Sequence, residues 1–196
     1  QKAFQQISQS HEYFVSVEYD DLVDYSLDDY WSSAIDPDGQ TRCLLSEFEK
    51  QAKETRYITD FLHDHRYSSI LDIGCGQGAF LSTLPDEIVK FGVEPSSVAS
   101  RKAQSFGKIY NENYQRRLFE ENFFDVIYSH HVIEHIANPI DFIADIKFHL
   151  KPQGLLIIAT PDFDSGCARL FKENYRLLDP GHISLFSNES LHRLLR

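Results

Sequence analysis

Ser69-Ile70-Leu71-Asp72-Ile73-Gly74-Cys75-Gly76-Gln77-Gly78-Ala79-Phe80-Leu81 is the stretch that decides the fold of this chain. Ile70, Leu71 and Ile73 form a short apolar run of the kind a buried parallel strand shows. Three alternate glycines follow at once, then an apolar segment that can open a helix. Glycine permits positive φ and lets a ligand approach the backbone with no Cβ in the way. A strand, a glycine turn and a helix N-terminus make a nucleotide-type cradle, whose N–H groups are expected to point at the ligand.

Gly74, Gly76 and Ala79 also fit the loose dinucleotide fingerprint G-x-G-x-x-G/A. Asp72 argues against a dinucleotide, because a carboxylate two residues before the first glycine would repel a pyrophosphate. It suits a ligand that carries an ammonium and a sulfonium, such as S-adenosylmethionine. The plainer alternative is a strand-end aspartate that only caps the turn.

Leu71 to Gly78 resembles the first motif of class I S-adenosylmethionine-dependent methyltransferases, in particular the small-molecule branch that includes ubiquinone-biosynthesis O-methyltransferases. Other stretches resemble that family in the same order. Phe124-Asp125-Val126-Ile127-Tyr128-Ser129, continuing into His130 to Pro139, is similar to its fourth-strand motif, in which an aspartate opens the strand and a Glu-His pair follows. Lys151-Pro152-Gln153-Gly154 is similar to the turn before its fifth strand, and Asp179 to Ser187 to a segment beyond that strand. The resemblance runs from about Ser68 to the C-terminus; the first 60 or so residues carry none.

The chain has 196 residues, 42% of them hydrophobic and 25% charged, as in an ordinary globular domain with a core of its own. A net charge of −11 speaks against a nucleic-acid partner, whose phosphates call for a basic face. Three widely spaced cysteines (Cys43, Cys75 and Cys167) are neither a disulfide framework nor a zinc pattern. The longest purely apolar run, Leu155 to Ala159, falls far short of a membrane span. With no signal-peptide pattern, the expected compartment is the cytoplasm. The sequence lacks methionine altogether and is read as a processed or trimmed product.

Residues 1–43 are rich in Tyr, Asp and Ser without a clean period, and read as an irregular N-terminal arm or an aromatic lid, with a turn at Asp36-Pro37-Asp38-Gly39. Residues 44–196 read as the methyltransferase domain. Leu44 to Leu62 has helical spacing. Strands follow at 88–94, 108–110, 124–129 and 155–160, alternating with helices after Pro95, after Asn138 and from Ser187. Lys147, His149 and Lys151 are expected at the negative end of the helix that Asn138 caps. This alternation gives an α/β fold with a mostly parallel, doubly wound, Rossmann-like sheet. The resemblance implies the strand order 3-2-1-4-5, then a sixth strand and an antiparallel seventh. No pattern for those two is visible, so the domain reads as C-terminally incomplete.

In such a sheet the ligand lies beyond the carboxyl ends of the strands. The expected cofactor is S-adenosylmethionine. Its candidate contacts are Asp72, Gly74, Cys75, Gly76, Gln77 and Gly78; Glu94, which can accept ribose hydroxyls, with Pro95; Asn113; and Ser129 with His130. Arg42 and Arg56 are candidates for the cofactor carboxylate or for plain surface pairs. Methyl transfer needs donor and acceptor held in line, and a base where the acceptor is a hydroxyl. His182 and His131 are the candidate bases, with His135 behind them; a backbone-bonded histidine that fixes its loop is the alternative for His182. Glu134 and His135 are adjacent on one turn and do not readily converge on one ion, so no metal is assigned. The expected activity is methyl transfer to a small molecule, with an NAD-type oxidoreductase or a non-catalytic cofactor-binding relative as alternatives.

Overall fold

The structure, a computed structural model, describes residues 5–10, 13–18, 31, 34–35, 41–65, 67–172, 175 and 181–196. Its strands are β1 (Gln5–Ser10), β2 (Val15–Glu18), β3 (Ala34–Ile35), β4 (Thr41–Arg42), β5 (Ser69–Ile73), β6 (Val89–Val93), β7 (Lys108–Tyr110), β8 (Phe124–His130), β9 (Leu150–Ala159) and β10 (Ser184–Leu185). Its helices are α1 (Phe48–His63), α2 (Ala79–Thr83), α3 (Ser97–Ala103), α4 (Pro139–His149), α5 (Gly166–Phe171) and α6 (Asn188–Leu194). None of them is long and apolar enough to cross a membrane. The chain divides into two compact units, one of residues 25–129 and 146–158, the other of 1–24, 130–145 and 159–196.

The first unit is built on a five-stranded sheet in the order β7-β6-β5-β8-β9. Counted along the chain, these are its third, second, first, fourth and fifth strands, so the expected α/β, mostly parallel, Rossmann-like sheet is present. β5 pairs in parallel with β6 and β8, and β6 with β7. Every residue of β5 is buried, Ser69 and Asp72 along with the apolar Ile70, Leu71 and Ile73, as in a central strand covered on both faces. Ile58 and Leu62, one turn apart on α1, pack with Phe80, Leu81 and Leu84 against Ile70, Val126 and Tyr128. Phe91, Phe119 and Phe124 form a second cluster, their rings meeting edge to face at 4.9 to 6.0 Å. His149 is fully buried beside it. Its Nε2–H donates to the Arg116 carbonyl and its Nδ1 accepts from the Tyr114 hydroxyl. His149 stands at the carboxyl end of α4, as expected, and is a core hydrogen-bonding residue there.

In detail the strands differ from the expectation. β9 begins at Leu150, so the Pro152-Gln153-Gly154 turn is absorbed into the strand, with Gln153 bent to φ +66. β10 lies outside the large sheet and pairs antiparallel with β2 in a three-stranded sheet, β1-β2-β10, of the second unit. Val17 and Leu185 form its buried centre, with Val15, Phe163 and Tyr175 against them. β1 and β2 fall in the stretch read as irregular. The Asp36 to Gly39 turn lies outside the described residues. Ser96 caps α3, its hydroxyl accepting from Ala99 N.

The aspartate that opens β8 has a structural task at the end of the sheet opposite the glycine loop. Asp125 Oδ2 accepts from the backbone N–H and hydroxyl groups of Ser68 and Ser69, and Oδ1 from Lys151 at 2.8 Å. These donors outweigh partial burial and hold its carboxyl well below the usual carboxylate range. Asp125→Ala should cost about 1.5–3 kcal/mol in urea unfolding at pH 7, the range for hydrogen bonds to a charged group. A depressed native pKa means that stability is present above the unfolded value of about 3.9 and lost as pH falls. The gap between wild type and variant should therefore close below about pH 4.

Candidate functional site

The glycine loop connects β5 to α2, and all three glycines have positive φ: Gly74 +72°, Gly76 +53° and Gly78 +81°. At Gly78 the reason is packing, since a Cβ there would stand 2.9 Å from the Phe106 ring and 3.1 Å from Ala103. At Gly76 it is the indole of Trp31, whose nearest carbon would be 2.8 Å from such a Cβ. Trp31 is buried with Leu44 and Ala99. It is the chain's single tryptophan and the only residue described between 19 and 33.

Four of the loop's amides are spent inside the protein. Gly74 N and Cys75 N donate to the Val93 carbonyl, Gly78 N to Cys75 O, and Gly76 N to Glu94 Oε2 at 2.9 Å. These four amides are therefore not among the N–H groups expected to point at a ligand. A pyrophosphate site needs those donors; a ligand without phosphate does not. Gln77 is fully buried and both ends of its amide are engaged, Nε2 donating to Leu44 O and Oε1 accepting from Lys102.

Register brings the polar groups together at the carboxyl ends of three adjacent strands. Asp72 on β5 stands opposite Gly92 on β6 and Tyr128 on β8, and Ile73 opposite Val93 and Ser129. Glu94 and Ser129 thus end the strands on either side of Asp72, and all three residues are buried. Burial first, and the Glu94 charge second, push the Asp72 carboxyl well above its ordinary value. Burial likewise raises Glu94 to about 7, against the lowering pull of the Ser96 and Gly76 amides. The Cys75 thiol is pushed up by burial and by both carboxylates, which leaves it inert. Ser129 Oγ is buried without a hydrogen-bond partner among the described residues. Two buried carboxyls and a hydroxyl without a partner among the described residues fit a cationic nucleoside that brings its own hydroxyls.

Asn113 is exposed, and the neighbouring Tyr114 hydroxyl is occupied by His149. Asn111, which no motif marked, donates to the carbonyls of Glu94 and Pro95 and so fixes the corner after β6. Arg56 is exposed on α1, and the Arg42 side chain lies outside what is described.

The histidines belong to the second unit. His131 has φ +56, and its N–H donates to Ala159 O. Its Nδ1 lies 2.9 Å from Glu134 Oε1, and Thr160 Oγ1 donates to Glu134 Oε2. Partial burial and the neighbouring His131 charge lower His130 to about 4, although the residue keeps solvent exposure; its ring stands edge to face on that of His131. His135 Nδ1–H donates to Gly181 O, and the His182 ring lies 4.8 Å from that of His135. His182 itself is buried. Glu134, His135 and His182 each offer one ligand atom, all within 4.8 Å of one another. Sequence reasoning, which assigned no metal, did not see this set because His182 enters from 47 residues further on.

A family model described as a methyltransferase domain matches residues 39–196. Among curated proteins, a tRNA U34 carboxymethyltransferase of Pseudoalteromonas translucida is 33% identical over 102 residues, 47% of this chain and 31% of the relative. A ubiquinone biosynthesis O-methyltransferase of Rickettsia canadensis is 30% identical over 110 residues, 53% of this chain and 47% of the relative. The chain thus spans a third to about half of the length of these relatives. A solved structure of an S-adenosylmethionine-dependent methyltransferase from Archaeoglobus fulgidus superposes with a TM-score of 0.61 at 18% identity, covering 78% of this chain and 71% of that one, a likeness of fold.

Gly76→Val tests the cradle without any ligand. The variant needs a φ that valine rarely adopts, and its side chain must displace the indole. Trp31 emission should shift to the red while the far-UV circular dichroism stays native. An unshifted emission maximum in a folded variant would place Trp31 elsewhere.

Proposed function

The chain belongs to the methyltransferase domain family, in the class I branch that uses S-adenosylmethionine, and we propose that it moves the cofactor's methyl group to a hydroxyl of a small-molecule acceptor. The observation that carries the reading is the pair of buried carboxyls, Asp72 and Glu94, at the glycine loop, with Glu94 Oε2 accepting from Gly76 N. Bound there, S-adenosylmethionine supplies an activated methyl group. Asp72 is the counter-charge for its cationic half. Glu94 keeps one lone pair per oxygen beyond its bonds to Gly76 and Ser96, and these accept the ribose hydroxyls. Ser129 Oγ is left to meet a polar atom of the ligand, and Pro95 and Asn113 border the base.

An acceptor hydroxyl must lose its proton as it attacks, and an imidazole suits that task near neutral pH. His182 and His131 are the proposed proton acceptors. The curated relatives include an enzyme named for tRNA as well as one named for ubiquinone biosynthesis. The net charge of −11 favours a small acceptor over a polyanion. Residues 1–43, with Trp31 against Gly76, are proposed to cover the cofactor, and the proposed compartment is the cytoplasm.

Calorimetry with S-adenosylmethionine and its demethylated product should give dissociation constants in the low- to mid-micromolar range, about −7 to −8 kcal/mol. Binding of NAD with neither of these would overturn the reading. Glu94 is neutral below about pH 7 and a better acceptor above it, so affinity should rise with pH through about 7. Glu94→Gln should flatten that dependence. A pH-independent wild-type affinity would remove Glu94 from the site.

His182→Ala should lower kcat by about 10²–10⁴ with cofactor affinity unchanged if His182 takes the proton. An acid limb of the same midpoint in both proteins would exclude it and leave His131.

A further inference from the structure

We propose that Glu134, His135 and His182 bind a divalent transition-metal ion, of the kind that takes two imidazoles and a carboxylate, and leave it an exchangeable position for an oxygen ligand. All three residues belong to the second unit, and their coordination does not depend on which atom the enzyme methylates.

Each of the three offers one donor atom, and these atoms lie within 4.8 Å of one another. Zinc bonds of about 2.0–2.2 Å in a tetrahedral arrangement set donors about 3.3–3.5 Å apart. The set therefore has to close by at most about 1.5 Å, a distance that a small turn of an imidazole about its side-chain bonds covers.

The donors are already oriented from outside. Glu134 is only 1% exposed, and a carboxylate so placed is costly unless its oxygens are met. Thr160 Oγ1 donates to Oε2 and His131 Nδ1–H to Oε1, each at 2.9 Å. Each oxygen keeps a further lone pair for an ion. Burial opposes the charge, but the bond from His131 and the charges of His135 and His131 together outweigh it. They hold the carboxyl below its ordinary value, ionised as a ligand must be. In His135, Nδ1–H donates to the Gly181 carbonyl at 2.8 Å; because a carbonyl only accepts, the lone pair of the neutral ring is on Nε2. A histidine held through one nitrogen by a carbonyl, beside a carboxylate held by its own donors, is the outer-shell arrangement of metal centres.

The segments that carry the ligands are tied to one another. Glu134 and His135 sit on the short turn after β8, and His182 stands ahead of β10, 47 residues further on. The bond from His135 to Gly181 O and that from Ser184 Oγ to Ile136 O, at 2.7 Å, bracket His182. They set its buried ring 4.8 Å from that of His135.

Two nitrogens and one oxygen choose the ion. Imidazole suits zinc, copper, iron and nickel, whereas magnesium and calcium call for oxygen ligands. Three protein ligands leave a four-coordinate zinc ion one position for water or another oxygen. A ligated imidazole cannot take up a proton, so of the two proton acceptors proposed above only His131 is left.

The full chain, stripped with a chelator and titrated with Zn²⁺, tests this without any methyl acceptor. Calorimetry should find one tight equivalent of Zn²⁺, with Mg²⁺ giving no heat at the same concentrations. Co²⁺ in its place should show the intense visible absorption of a four-coordinate ion, and X-ray absorption at the zinc edge should show two imidazole ligands. His182→Ala and Glu134→Gln should each weaken zinc binding by about 100-fold or more, and Thr160→Val, which only releases the carboxylate, by about 10-fold. His192→Ala, exposed on α6, should leave the affinity unchanged. Should a ligand variant fail to fold, the cobalt spectrum and the zinc edge of the wild type decide alone. No bound equivalent, a six-coordinate cobalt spectrum, or Mg²⁺ held where Zn²⁺ is not overturns the proposal. Zinc bound as tightly by folded His182→Ala and Glu134→Gln as by wild type, or lost with His192→Ala, overturns it as well, because the ion would then lie elsewhere.

Discussion

The carboxylate of Glu94 is the contact on which the corner between the glycine loop and α3 depends. It leaves β6 and accepts from Gly76 N with one oxygen and from Ser96 N with the other. One side chain thereby ties the middle of the glycine loop to the cap of α3. The tie is made in a buried place, next to a second buried carboxyl. Neither charge is comfortable there, and burial raises both groups. A raised acid stabilises the fold most at low pH and less as pH climbs through its native value. Holding both groups ionised at neutral pH therefore costs stability.

The same strands carry a division of labour along their length. At their amino ends, Asp125 gathers four donors from Ser68 and Ser69 and a lysine, and its low pKa reports stability. At their carboxyl ends, burial pushes Asp72 and Glu94 upward, and Ser129 Oγ has no partner among the described residues. Both aspartates belong to recognisable motifs, yet their environments set opposite roles. His149 makes the same point: a histidine near a helix end is buried here because Tyr114 and the Arg116 carbonyl satisfy both of its nitrogens.

The second unit holds its chemistry on a turn and a return segment. Glu134 and His135 come from the turn after β8, and Gly181, His182 and Ser184 from the chain leading into β10. Two bonds join them, His135 Nδ1–H to Gly181 O and Ser184 Oγ–H to Ile136 O. The placement of His182 beside His135 follows from those bonds, and neither partner can be found by spacing along the chain.

Local pattern by itself determined the alternation of strand and helix, the glycine loop, Asp72 before it, Glu94 at the end of β6 and Asn138 capping α4. Each of these is a matter of neighbouring residues, where apolar period, backbone freedom and capping chemistry act over a few positions. What the loop does with its amides was decided only in three dimensions, because Val93 and Glu94 reach it from the next strand. Trp31 over Gly76, Thr160 on Glu134 and Tyr114 on His149 were equally out of reach, each joining residues 26 to 45 positions apart. The small sheet of the second unit shows the limit plainly: Ser184–Leu185, read as loop, became a strand because Ser16 and Val15 were there to pair with it. A strand of two residues has no period to read, and its existence is a property of its partner.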